Sequence, residues 1–504
     1  LCQNCKKTPV YAIFGGVYRR FLRLNQIFLL FPFFHDSKIR RHPMPAGIDF
    51  FFEKPNLSEM RKKWLIAFLF LTAISIAALF TPAPEIPAGD INPADTAWML
   101  VAAGLVLLMT PGLSFFYGGM VSFRNVVSTM LQSFISLGVV SFLWVVVGFS
   151  LAFGDSIGGF IGSPATYFMF RGVHLGPHPD LSPTIPFLLF ALFQLKFAII
   201  TPALITGSFA ERIKFTAYIV FICLFTLFIY APLAHWTWHP EGFLRKMGVL
   251  DFAGGTVVHM SAGFAAIAGA MVLGHRKTRQ TGNHHGPANI PYIILGTGLL
   301  WFGWFGFNAG SALGANSTAA LAFATTNFAS ASAMMTWVFY EGLMGRKPSA
   351  MGACIGAVVG LVAITPAAGF VTIGQSLFIG FAAAIVSNIV LFYFNKTGID
   401  DTLDVFPCHG VGGITGMLLT GVFAKDVGLI YGGTATFMSH VLALAIVSVF
   451  TFGGSWIILK ATSFIVPLRV SEQDELLGLD ESQHGERMSS LNERIRAFLK
   501  ENGT

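Results

Sequence analysis

Two histidines carry the chemistry open to this sequence. His259 lies inside an apolar run, 257–273, that holds no formal charge and follows the stretch Asp251-Phe-Ala-Gly-Gly-Thr-Val-Val-His259. A second run, 405–423, repeats the arrangement, with Asp404 ahead of it and His409 inside it. An imidazole at membrane depth is costly unless it meets a partner or a water-filled cavity. Either histidine alone could satisfy a local backbone carbonyl, but two such runs predict two imidazoles facing each other across a pathway. A neutral imidazole has one donor and one acceptor nitrogen, so a hydrogen-bonded pair can accept a proton at one end and release it at the other. The rival chemistry is an intramembrane metal centre. Two histidines with no local carboxylate or thiolate cluster make a poor site, and Cys408 and His409, one apart on a helix, do not face the same way. No metal and no cofactor is expected.

The elements that must position these residues follow from composition. The chain has 504 residues, 54% hydrophobic and 11% charged, with 54 Gly and 52 Phe; soluble domains carry roughly 25% charged residues. This is the composition of an all-α polytopic membrane protein, and abundant glycine lets membrane helices approach closely. The net charge of +7 is concentrated in residues 1–59, and no basic patch with interleaved aromatics suggests a nucleic-acid partner. Of the five cysteines, Cys2 and Cys5 form a lone CxxC, a weak metal signal. Cys223, Cys354 and Cys408 lie in apolar runs, as buried thiols do.

Met60-Arg-Lys-Lys-Trp, an apolar stretch to Phe80 and then Thr-Pro-Ala-Pro read as a signal peptide over 60–83. Residues 1–59 read as an unfolded upstream extension; the rival is a true extension whose first span is 65–80. Eleven apolar segments follow, at about 95–119, 125–153, 185–209, 215–236, 255–274, 290–309, 316–340, 349–366, 372–394, 404–424 and 432–462. The expected inner loops hold Arg124, Arg212, Lys214, Arg276, Lys277, Arg279, Arg346, Lys347 and Lys396; the outer ones hold only Arg171, Arg245, Lys246 and Lys425. That bias places the C-terminus inside. The Gly/Pro-rich loop 154–183 is expected to form a surface lid, and residues 466–504 a polar, charged cytoplasmic tail. The histidine-bearing runs are the fifth and tenth, which fits two inverted five-helix halves plus one extra helix.

Several stretches together resemble the ammonium transporter (Amt/Rh) family, on the bacterial Amt side. Besides 251–259 they are Pro111-Gly-Leu-Ser-Phe-Phe-Tyr-Gly-Gly119, Ala210-Glu-Arg-Ile-Lys-Phe215, Gly303-Trp-Phe-Gly-Phe-Asn-Ala-Gly-Ser311 and Asp404-Val-Phe-Pro-Cys-His-Gly410. Shorter matches are Arg346-Lys-Pro-Ser349, Gly352-Ala-Cys354 and Thr365-Pro-Ala367, and Gly478-Leu-Asp-Glu-Ser-Gln-His-Gly-Glu486 resembles the tail motif. The resemblance implies an ammonium transporter domain over about 90–465, a homotrimer with one pore per subunit, and a bacterial inner membrane as its place. It implies Phe197 and Phe307 as a stacked gate. Trp238, Ser311, Phe193 and Phe197 become the recruitment site for ammonium, His259 and His409 the twin histidines of the pore, and Asp251 a carboxylate needed below the mouth. It further implies a PII-type signalling protein as a cytoplasmic partner, read by Gly478, Asp480, His484 and Gly485.

Each residue has a plainer reading. Phe197 and Phe307 could be packing, Trp238 an interface anchor, Asp251 an N-cap, and Ser311 bonded back to its own helix. The sequence also departs from the family pattern: Lys196 precedes the gate phenylalanine, His239-Pro-Glu241 follows Trp238, and Ser471 replaces a proline in the tail. A sensor with the same pore, or a neutral gas channel, is the functional rival.

Overall fold

The computed structural model describes residues 57–85, 89–280 and 286–488. Most of the expected extension 1–59, with Cys2 and Cys5, lies outside the described residues. The chain divides into two compact units, 1–73 and 74–504. In the first, the described residues form the start of a helix, α1 (Leu57–Ala78), whose Trp64, Phe68 and Phe70 are exposed.

The second unit is helical. After α1 come α2 (Pro93–Met120), α3 (Phe123–Phe153), α4 (Phe187–Phe209), α5 (215–238) and α6 (Gly255–Leu273). They are followed by α7 (Ile290–Gly310), α8 (Ser317–Leu343), α9 (Ala350–Ile364), α10 (Ile373–Phe394), α11 (Phe406–Phe423) and α12 (Ala435–Ile465). Among the described residues nine helices are long and apolar enough to cross a membrane. α8 and α9, which coincide with two of the segments read from sequence, do not reach that standard. α9 has only 15 residues. α8 has 27, but Thr325, Thr326, Asn327 and Ser330 dilute it. Thr325, Thr326 and Ser330 face protein: Thr325 Oγ1 donates to Ala368 O at 2.8 Å and Ser330 Oγ to Ala357 O at 3.0 Å, and Thr326 Oγ1 accepts from Asn308 Nδ2. Helix starts carry side-chain caps where the sequence offers them, Asn92 on α2, Asn289 on α7 and Ser349 on α9.

The loop between α3 and α4 is ordered by two short hairpins, Ser156–Ile157 with Ile161–Gly162 and Pro177–His178 with Ser182–Pro186. The tail is docked onto the bundle. Leu479 and Asp480 are buried; the Asp480 carboxylate accepts from Val127 N and Ser128 N at the start of α3, and Leu479 N donates to Asn125 Oδ1. The polar composition of 466–504 hid this, because a few buried anchors suffice to seat a charged segment.

α6 and α11 cross almost backbone to backbone. A Cβ added to Gly263 would lie 2.3 Å from Gly410 Cα, closer than real atoms approach. This contact falls one turn beyond His259 and immediately after His409, so it sets how near the two imidazoles come. A side chain at 263 must push the helices apart. Gly263→Leu is therefore expected to lower stability by about 1–3 kcal/mol, read as thermal unfolding in detergent. Gly138→Ala, where an added Cβ meets nothing within 4 Å, is expected to leave it unchanged.

Candidate functional site

α6 begins inside the bundle, where its first N–H groups have no preceding turn to bond. Asp251 supplies the missing acceptors. Its Oδ1 accepts from Gly254 N and Gly255 N at 2.8 and 2.6 Å, and its Oδ2 from Thr256 N and Thr256 Oγ1 at 2.7 and 2.5 Å. Gly254 turns the chain with φ +116°. The helix then opens with a widened turn in which His259 N bonds Gly254 O, five residues back. Such π-type turns re-aim side chains and occur at functional sites. α11 repeats the device. Asp401 Oδ2 accepts from Phe406 N at 2.8 Å, the first turn is again widened, and His409 follows Phe406 as His259 follows Thr256. The counterpart of Asp251 is thus Asp401, not the Asp404 that the sequence places ahead of the run.

The two histidines meet. Their rings lie 5.5 Å apart, inclined by 20°, and Nδ1 of one is 3.4 Å from Nδ1 of the other. With one Nδ1 donating and the other accepting, the pair holds complementary tautomers. Both are buried, and Nε2 of His259 has no hydrogen-bond partner. Trp304 stacks on His259 at 5.3 Å, fixed by a 2.9 Å bond from its Nε1 to Thr365 Oγ1. Phe307 lies 6.0 Å from the same imidazole. Beyond it, Phe307 and Phe197 stack at 4.2 Å, Phe193 meets Phe197 edge-on at 4.9 Å, and Trp238 meets Phe197 edge-on at 5.7 Å. Trp238 is held at both ends: its Nε1 donates to Asp251 O, and Arg245 donates to its carbonyl at 2.6 Å. Ser311 Oγ donates to Phe307 O at 2.8 Å, the bond back to its own helix, leaving its lone pairs as acceptors.

The residues singled out in the sequence therefore form one continuous series: Trp238, the phenylalanines, His259, His409. Trp304 and Asp401 were missed. Trp304 stands three residues before Phe307 in the quoted 303–311 stretch, on the same helical face. Asp401 shares with Asp251 its spacing to a histidine eight residues on. Of the departures, Lys196 lies with Leu188 and Leu192 on a half-buried stripe, whereas Phe193 and Phe197 are buried. His239 stacks on His235 at 4.3 Å beside Trp238. Among the described residues no group of three or more His, Cys, Asp or Glu could hold a metal.

At the tail end, one charge network joins the loops of both histidine helices. Arg276, just after α6, donates from Nε and Nη2 to the Asp400 carboxylate and from Nη1 to Glu211; Arg279 also reaches Asp400. Arg212 donates to Asp400 O and to Thr402 Oγ1. Arg469 and Lys277 N hold Glu475 of the tail. Burial opposes ionisation of Asp400, but the bonds and charge of Arg276 prevail and hold it well below the usual carboxylate range. Asp404 behaves oppositely: burial, then the Asp401 carboxylate, push it up to about 7 against Arg276.

Residues 97–489 match the model of the Ammonium Transporter Family. The chain is 46% identical to an ammonium transporter of Aquifex aeolicus over 83% of its own length and 98% of the relative's. It is 45% identical to one of Bacillus subtilis over 78% and 98%. Among solved structures, Saccharomyces cerevisiae Mep2 superposes with a TM-score of 0.72 at 33% identity, over 76% of this chain and 88% of that one. A protein described as a sensor Amt protein gives 0.72 at 31%, over 78% and 98%.

Two outcomes follow from the carboxylates. Asp251→Ala leaves buried N–H groups without acceptors, so a loss of roughly 1–3 kcal/mol is expected in thermal unfolding, with Asp251→Glu losing less. Asp404, with its pKa raised on folding, binds more protons folded than unfolded between pH 4 and 7. Stability falls as pH rises through that window and then levels. Asp404→Asn should therefore unfold at higher temperature than the native chain at pH 8 and at the same temperature at pH 4.

Proposed function

The chain belongs to the Ammonium Transporter Family, and from that premise we propose that it recruits ammonium at an aromatic mouth, deprotonates it there, and passes ammonia and a proton through the twin-histidine pore. The observation that carries this reading is the unbroken series from Trp238 through Phe197 and Phe307 to the His259–His409 pair.

Ammonium and K⁺ are alike in size and charge, so an open cation pore would not separate them. At the mouth, the rings of Trp238 and Phe197 attract a desolvated cation, by about 2 kcal/mol at best. The free lone pairs of Ser311 Oγ accept one ammonium N–H, which K⁺ cannot donate. Phe197 and Phe307 then close the way with stacked rings. Beyond them the walls are Trp304, Phe307 and two neutral imidazoles, and a full charge there carries a large desolvation cost. Ammonia does not. The proton left behind crosses separately: His259 takes it at Nε2 and passes its Nδ1 proton to His409 Nδ1, His409 releases its own from Nε2, and the pair must return to its starting tautomers before the next proton. The unpartnered Nε2 of His259 faces the substrate as the first acceptor. Asp251 acts by holding the start of α6, and through its carbonyl Trp238, in place. No step forms or breaks a covalent bond other than to hydrogen, so the protein works as a carrier and not an enzyme.

The same reading extends to the whole molecule. α2 to α12 make eleven spans, two inverted five-helix halves plus α12, and α8 and α9 cross with the help of the packed loops at their ends. The first 59 residues are an upstream extension and 60–83 a signal peptide. The hairpin loop lies outside and residues 466–504 inside a bacterial inner membrane, in agreement with the basic residues of the tail-end loops. Three copies assemble with one pore each. The docked tail and its neighbours offer a PII-type protein a surface at the inner mouth.

Current across proteoliposomes tests the mechanism. The native protein is expected to give an ammonium-triggered current and none with K⁺, and the His259→Ala, His409→Ala double variant at least a tenfold lower ammonium-to-K⁺ selectivity. A rapid internal pH change without current would show neutral ammonia conduction instead. Silence in both assays would favour a sensor, the description attached to one structural neighbour.

A further inference from the structure

α12 grips the loop ahead of Asp251 with two consecutive side chains. Its ionisable residues are His440 and Lys460, and His440 is fully buried. Both ring nitrogens of His440 are engaged: Nδ1 lies 2.7 Å from Met417 O of α11, and Nε2 lies 2.9 Å from Leu250 N. A carbonyl oxygen can only accept and a backbone N–H can only donate. The proton therefore sits on Nδ1, and Nε2 is the acceptor. Next to it, Ser439 Oγ donates to Met247 O at 2.7 Å. α11 leaves room for the ring, since a Cβ added to Gly421 would already lie 3.4 Å from His440 Nδ1.

The loop so gripped is the one that holds Trp238. At one end, Arg245 donates to Trp238 O at 2.6 Å; at the other, Asp251 O accepts the Trp238 indole N–H at 3.1 Å. Segment 245–251 thus touches Trp238 from both ends, and its middle is fastened to α12 at Met247 and Leu250. Leu250 is bonded directly to Asp251, so any shift of the Leu250 amide reaches the Asp251 carbonyl. An apolar ring in place of His440 would fill the same space and leave the Leu250 N–H without this acceptor.

We propose that His440, with Ser439, is a positioning residue for the ammonium mouth: by bridging α11 to the Leu250 amide it sets where Asp251, and with it Trp238, stands. This inference rests on the reading of Trp238 as part of the recruitment site. His440 acts through the loop, so its signature is a change in the ammonium concentration needed and not in the maximal rate.

Ammonium-triggered current is recorded against ammonium concentration in proteoliposomes of the native full chain, His440→Phe, His440→Gln and Ser439→Ala. Amide exchange over 247–256 is followed by mass spectrometry on the same preparations. His440→Phe is expected to raise the half-saturating concentration about threefold or more, with maximal current held within about twofold, and to speed exchange of the segment about tenfold. His440→Gln, whose amide offers both an acceptor and a donor, should return both readings toward native. Ser439→Ala, a milder change, should move both in the same direction as His440→Phe and decides the matter if that variant fails to fold. An unmoved half-saturating concentration would overturn the proposal, as would unchanged exchange or a His440→Gln variant no better than His440→Phe, the mark of simple packing. A native chain that gives no ammonium current would overturn the recruitment reading instead, and exchange alone would then decide whether His440 fixes the loop.

Discussion

Everything at the centre of this molecule depends on four hydrogen bonds to one carboxylate. In lipid a helix cannot begin at depth unless its first N–H groups find acceptors. Asp251 provides them for α6, and Asp401 does the same for α11 with a bond to Phe406 N. Once its start is fixed, the helix can open with a widened turn, and that turn aims His259 inward. The carbonyl of Asp251 also receives the Trp238 indole N–H. One residue thereby ties Trp238 to the start of the helix that carries His259.

The second constraint is distance. Two imidazoles exchange a proton only when their nitrogens come within reach, and two helices approach that closely only where neither carries a side chain. Gly263 and Gly410 make the approach, and the 3.4 Å separation of the Nδ1 atoms is its result. Aromatic rings flank the pair: Phe197 stacks on Phe307, and Trp304 stacks on His259 while its Nε1 donates to Thr365. A desolvated charge beside such apolar walls carries a large cost that a neutral molecule does not.

At the tail end a compact charge network ties the same two helices to the rest of the chain. Asp400 lies six residues before Phe406, and Arg276 lies three residues after Leu273, so their ion pair joins the start of α11 to the end of α6. Glu475 draws the tail onto Arg469 and the Lys277 backbone beside them. Arg469 also donates to Leu273 O, so the tail touches the end of α6 directly.

The sequence by itself determined the helical, membrane-spanning character of the chain, because apolar runs and scarce charge admit little else. It also singled out the histidines, since an ionisable group in an uncharged run is conspicuous whatever surrounds it. The Pro111–Gly119, 303–311 and 404–410 stretches identified the family by residue order alone. What required tertiary structure was everything that depends on distance across the bundle. The pairing of Asp401 with Phe406 N, in the role first given to Asp404, is a matter of backbone path and not of proximity in sequence. Trp304 looked like one aromatic among many until it stacked on His259. The tail reads as polar and charged, with nothing in its composition to show where it rests, yet buried Leu479 and Asp480 dock it through bonds to Asn125, Val127 and Ser128, more than 350 residues away. Local composition reports what a segment prefers in isolation; which groups meet is fixed by helix packing, and that is written across contacts between residues far apart in the chain.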